Sequence, residues 1–193
     1  FTKKYRSSSF GHLKMIDRGL REQEDKSIFK PFMIIEDDVG FYRPMPEYID
    51  IPLNCDILYG GLAHSSPVSY TGEPKCEFHL YGEKFNDDIT RIYNMLGLHC
   101  QIITSALGAL GYSNAINEAI YKGKVTDAFT AWIQPYYNVY ALNIPILYQM
   151  NEYNGCELSS KITLLDKDRI DYNEYTNLNK SFNCYHKIFH KSQ

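Results

Sequence analysis

Three consecutive acids, Glu36, Asp37 and Asp38, close the apolar run PFMII at 31–35, and Val39 follows at once. Side chains alternate along a strand, so Glu36 and Asp38 face one way and Asp37 the other. Like charges this close repel, and a counter-cation relieves the repulsion. Carboxylates are hard oxygen ligands that suit Mg²⁺ or Mn²⁺, with phosphate oxygens completing the shell. An apolar strand that ends in acids therefore points to a metal–diphosphate site. A solvated acidic turn is the bland alternative, and these three residues alone leave it open.

Other residues could serve such a site. Asp127, in VTDAFTAW, sits in the first turn of a predicted short helix. It is a candidate general base; a first-turn acid that only favours the helix dipole is the alternative. Asp87 and Asp88 read as a cap before a helix over ITRIYNML. There are six histidines: His12, His64, His79, His99, His186 and His190. His186 and His190 are four apart and share a face if the tail is helical, so His186 is a candidate late ligand to the metal, against a solvated terminal pair. His12, near a predicted helix start, could contact a diphosphate with help from the positive helix end, or simply cap the helix. Gly60 and Gly61 would let a ligand approach the backbone closely, or would turn the chain. Trp132, Tyr136 and Tyr137 could make an aromatic platform for a ligand, with core burial the rival for Trp132.

The elements that must position these residues follow from pattern. A serine-capped helix is predicted over 9–24, where Leu13, Ile16 and Leu20 recur between charges. FMII is a short buried strand, CDILYGGL a second, and CEFHLYG and HCQIITSALGALGY strand-like segments. The proline-rich GFYRPMPEYIDIP is irregular and exposed, and 63–75 is loop. SNAINEAIYKG is a helix ended by Gly123, and YNVYALNIPILYQ a late strand. Strands alternating with helices predict an α/β mixed sheet flanked by helices, with ligands beyond the carboxyl ends of the strands.

Composition bounds the function. The 193 residues suit a single domain spanning the chain, and 44% apolar residues suit a packed core. A net charge of -3 with no long basic block argues against nucleic acid. No apolar run approaches the ~18 residues that span a bilayer, and no secretory signal heads the chain. The first residue is Phe1, which is expected of a trimmed segment. Five cysteines, widely spaced and without CxxC, suggest free thiols in a reducing compartment, such as the cytoplasm, and no cysteine-based zinc site.

SSSFGHLKMIDRGL, FMIIEDDVGF and DILYGGL, in this order and spacing, resemble the pattern of glycosyltransferase family 25, which includes lipopolysaccharide and collagen galactosyltransferases. LGALGYSNAINEAI, VTDAFTAW and NIPILYQ with LSSKI extend the resemblance over roughly residues 8–162. It implies a GT-A (Rossmann-like) fold, a UDP-sugar donor, a glycan or glycoprotein acceptor, and an inverting transfer aided by Mn²⁺ or Mg²⁺. Asp38 would contact the metal directly and Glu36 through water or the donor ribose, with Asp37 supporting. Asp127 would be the base, and His12, Gly60, Gly61 and Gln149 would line the donor. Two departures stand out. About eight residues precede the serine-histidine helix, where the family carries a nucleotide-binding strand, as expected of a trimmed or minimal domain, and Phe10-Gly11 replaces a run of small residues. The Tyr, Asn, Ile and Lys content suits an AT-rich genome such as that of a large DNA virus. A metal-dependent phosphoryl-transfer enzyme and a non-catalytic glycan-binding domain are the rival readings.

Overall fold

The computed structural model describes residues 3–24, 27–62, 80–150 and 170–171, with side chains over 7–24, 27–62 and 82–150. The elements are α1 (Lys3–Arg21), β1 (Phe32–Ile35), β2 (Val39–Phe41), β3 (Ile57–Tyr59), β4 (Leu80–Lys84), β5 (Ile89–Ile92) and β6 (Cys100–Ile103). Then come α2 (Ala106–Lys122), α3 (Thr126–Ile133), a 3-10 turn (Gln134–Tyr136), β7 (Val139–Leu142), β8 (Leu147–Gln149) and β9 (Ile170–Asp171). Among the described residues, seven strands form a sheet ordered β1-β6-β3-β7-β5-β4-β9, and β2 pairs with β8 in a separate ribbon. The sheet is mixed: β3–β7 and β4–β9 are parallel, and the other neighbours antiparallel. This is the expected α/β class with a mixed sheet and flanking helices, compatible with a Rossmann-like arrangement.

Alternation along the strands divides the core. Ile34, Ile57, Tyr59, Ile103, Val139 and Ala141 face one side, where they pack with Ile16 of α1 and Ala109, Tyr112 and Ile116 of α2. Leu58, Cys100, Tyr140 and Leu142 face the other, covered by Leu147 and Val39 of the ribbon and by Ile49 and Ile51. The period of two puts each strand's neighbours on opposite faces, so both sides of the sheet are apolar and buried. The three helices of the described residues pack in series, α1 on α2 and α2 on α3.

Several local expectations change. The helix predicted over 9–24 begins at Lys3, so Ser9 is interior and cannot cap it. The stretch LGALGY is not strand: α2 starts at Ala106, capped by Ser105, whose hydroxyl accepts from the Gly108 amide. Its two glycines serve close packing. A Cβ on Gly108 would lie 2.2 Å from the Asp56 carbonyl oxygen, and one on Gly111 2.4 Å from the Tyr137 ring. Gly123 ends α2 at φ 63, as expected. ITRI is strand β5, not helix, so Asp87 and Asp88 cap nothing; they lie in the hairpin between β4 and β5. There Asn86 Oδ1 accepts from the amides of Asp88 and Ile89. The single late strand is two, β7 in the main sheet and β8 in the ribbon.

Candidate active site at the carboxyl edge of the sheet

β1, β3 and β7 run in one direction, because β6 is antiparallel to β1 and β3, and β7 is parallel to β3. Their carboxyl ends share one edge. Glu36 follows β1 there, Gly60 and Gly61 follow β3, and His99 precedes β6. The Glu36 amide donates to the His99 carbonyl at 3.2 Å, and the Gly60 amide to the Cys100 carbonyl at 3.0 Å. From its cap at the opposite edge, α2 runs back about 25 Å over its 17 residues. Gly123 then turns the chain, so α3 opens with Thr126 and Asp127 over the acids.

Helix α1 presents a buried stripe of Ser9, His12, Ile16 and Gly19, spaced three or four apart. Two of these are polar, and both reach the site. His12, 4% exposed, has Nε2 3.0 Å from Glu36 Oε1. Ser9 Oγ is hydrogen-bonded to Thr126 Oγ1, which ties α1 to the residue before Asp127. His12 stands in the body of α1, well past its first turn. The positive helix end therefore does not help it hold a diphosphate, and its partner is the Glu36 carboxylate.

Asp127 is partly buried, and its carboxyl is pushed up from the ordinary 3.8 to about 7. Loss of solvation is the main cause; the charge of Glu36 adds to it and His12 opposes it. Beneath lie Tyr59 and Tyr112, both fully buried. Burial pushes the Tyr59 hydroxyl up to about 12 and Tyr112 well up also, so both stay neutral.

Asp38 is held from the ribbon. Gln149 Nε2 donates to Asp38 Oδ2 at 3.1 Å, and the Met150 amide to the Asp38 carbonyl at 2.7 Å. The other carboxylate oxygen, Oδ1, is buried without a hydrogen-bond partner among the described residues, as is His12 Nδ1. Burial pushes the His99 imidazole down, while Glu36, Asp38 and a hydrogen bond to the Leu147 backbone pull it up. Asp37 is exposed in the turn between β1 and β2.

The structure thus brings together Glu36, Asp38, His12, Gln149 and Asp127. Gly60 and Gly61 lie at the same edge but are buried. A Cβ on Gly60 would lie 2.4 Å from Cys100 Sγ, and one on Gly61 2.1 Å from the Leu147 carbonyl oxygen and 2.5 Å from His99 Nε2. Their close approach is to the protein's own core. Of the platform residues, Tyr137 packs on Gly111 and leads to Asn138, which bonds Asp56 at the opposite edge; Trp132 packs edge-on against Phe129, and Tyr136 is exposed. His186, with His64, His79 and His190, lies outside the described residues. His99 is the neighbour that pattern singled out least; its only signal was a histidine beside an apolar strand. Comparison with family models, with curated proteins and with solved structures finds no match.

Among the described residues, no three His, Cys, Asp or Glu are placed to hold a metal by themselves. The donor set fits a cation that takes one or two protein carboxylates and completes its shell from phosphate and water, as Mg²⁺ commonly does. Asp38 Oδ1 offers the unsatisfied, hard lone pairs such an ion needs. No helix of the described residues is long and apolar enough to cross a membrane.

Proposed function

We propose that this chain is a GT-A-type glycosyltransferase that moves a hexose from a UDP-sugar to a hydroxyl of a glycan or glycoprotein, with inversion, in the cytoplasm. One observation carries the reading: two acids at the end of β1 and a third acid, prepared differently, meet at one sheet edge. The transfer needs a group that takes the acceptor proton near neutral pH, and a carboxyl pushed up to about 7 suits that task. Asp127 accepts the proton from the attacking hydroxyl. Asp38, with Glu36 beside it, would hold the divalent cation that accompanies the donor diphosphate. When bound, the cation supplies neutralisation of the leaving diphosphate. His12 fixes one oxygen of Glu36, and the buried tyrosines keep water from the floor beneath Asp127. Order and spacing of the sequence motifs support the same reading.

Calorimetry of UDP-, GDP- and CMP-sugars, each with Mn²⁺ and with a chelator, tests it. The expected result is Mn²⁺-dependent binding of the UDP-sugar, stronger than of the CMP-sugar, which offers the ion one phosphate rather than two. A tight, chelator-insensitive CMP-sugar complex overturns the proposal. Metal-dependent hydrolysis of DNA or RNA would favour the phosphoryl-transfer reading, and absence of all nucleotide binding the non-catalytic one.

A further inference from the structure

We infer that Gln149 is a positioning residue for Asp38: the β2–β8 ribbon is a clamp that aims one oxygen of that carboxylate at a cation-bearing ligand. The inference rests on the reading above and changes the role of Gln149, from lining the donor to acting through Asp38.

Asp38 is gripped at two points by the end of β8. Val39 pairs with Gln149 in the ribbon, so the carboxylate and the amide start from adjacent backbone. The Met150 amide fixes the Asp38 carbonyl at 2.7 Å, and the Gln149 side chain fixes Oδ2 at 3.1 Å. A carboxylate only accepts, so the amide nitrogen must face it, which settles the orientation of Gln149. With Oδ2 held, rotation about the Asp38 side chain is restrained and Oδ1 is left buried and unpartnered. An acceptor in that state is costly unless a ligand satisfies it. The ribbon is itself closely fitted: a Cβ on Gly40 would lie 2.9 Å from the Tyr148 ring. A second, independent observation is His12, which is 4% exposed beside Glu36 and leaves its Nδ1 unpartnered among the described residues.

Partners that orient a metal ligand commonly change metal affinity about 10- to 100-fold when removed. Gln149→Met keeps the volume and removes the donor; Gln149→Leu is the second variant should the first fold poorly, with circular dichroism as the folding check. The probe is Mn²⁺ with UDP, read by the electron paramagnetic resonance of free and bound Mn²⁺ on the full chain. The expected result is a loss of Mn²⁺–UDP affinity of about 10- to 100-fold and a broadened bound-Mn²⁺ spectrum, as the carboxylate takes several orientations. A merely structural role would leave that spectrum unchanged in the fraction still bound. Parent-like affinity and spectrum in a folded variant overturn the inference and leave the glycosyltransferase reading standing. Absence of Mn²⁺–UDP binding in the parent overturns both.

Discussion

The two edges of the sheet each carry acids against an apolar strand, and they treat them in opposite ways. At the amino edge, Asp56 precedes β3. Its Oδ1 accepts from Ser105 Oγ at 2.6 Å, and its Oδ2 from the Asn138 amide at 2.9 Å. Its carbonyl accepts from the Thr104 amide at 3.0 Å. Asp56 fastens together the ends of β6 and β7 and the cap of α2, and nothing about it is left open. At the carboxyl edge, Asp38 has one oxygen held and the other unpartnered, and Asp127 is kept away from water near Glu36. A closed acid stabilises a fold; an open, crowded acid costs stability and is retained for what it can bind or deprotonate.

Paired substitutions give the sharpest test of this contrast. Asp38→Ala is expected to abolish Mn²⁺-dependent UDP binding while leaving the melting temperature near that of the parent, since it removes a half-satisfied carboxylate. Asp56→Ala strands a part-buried hydroxyl and a part-buried backbone amide, each worth about 1 kcal/mol or more, and so lowers the melting temperature. Thermal unfolding and Mn²⁺–UDP calorimetry on both variants check it. If Asp38→Ala unfolds the chain and Asp56→Ala does not, the two edges have been assigned the wrong way round.

Asp127→Asn probes the third acid. Donor affinity is expected within about twofold of the parent, with transfer lowered about 10²–10⁴-fold, the usual contribution of a positioned base. Donor hydrolysis should be followed in the same assay, since activation of acceptor and of donor can separate. Transfer within threefold of the parent would reduce Asp127 to a first-turn acid of α3.

Much of the carboxyl edge was legible because its signals are local. FMII followed by acids gives β1 and its end, TDAFTAW gives α3 with Asp127 in its first turn, and Gly123 gives the end of α2. What was not legible depends on distant partners. LGALGY looked strand-like because two glycines weaken a helix. They are tolerated because Asp56 and Tyr137 fill the space where their side chains would stand. ITRI fits a helix or a strand over four residues, and pairing with β4 and β7 decides it. The ribbon joins residues far apart in the chain, so no local pattern tells that Gln149 meets Asp38. The amino edge was read least well, since Asp56 offered only an acid at the start of a strand and its partners come from α2's cap and Asn138.

The effect hardest to isolate is the one that titration should reveal. Asp127 has a folded-state value of about 7 against an ordinary 3.8, so its proton is held more tightly by the folded chain than by the unfolded one. Between those values the folded chain keeps a proton that the unfolded chain has released. Stability therefore falls as pH rises through that window, by at most about 1.4 kcal/mol per pH unit, and levels off above it. The contribution is fully present below pH 3.8 and lost above about 7, the reverse of a salt-bridged carboxylate. Other groups titrate over the same range, so the informative quantity is the difference between the parent and Asp127→Asn. Asparagine cannot ionise, so the variant should gain stability relative to the parent as pH rises from about 4 to 7, with a constant difference beyond. Urea unfolding at half-unit steps of pH measures this. A difference that does not change with pH would mean that Asp127 titrates as an ordinary solvated acid. It would then share the exposed character of Asp37 and lose its standing as the base.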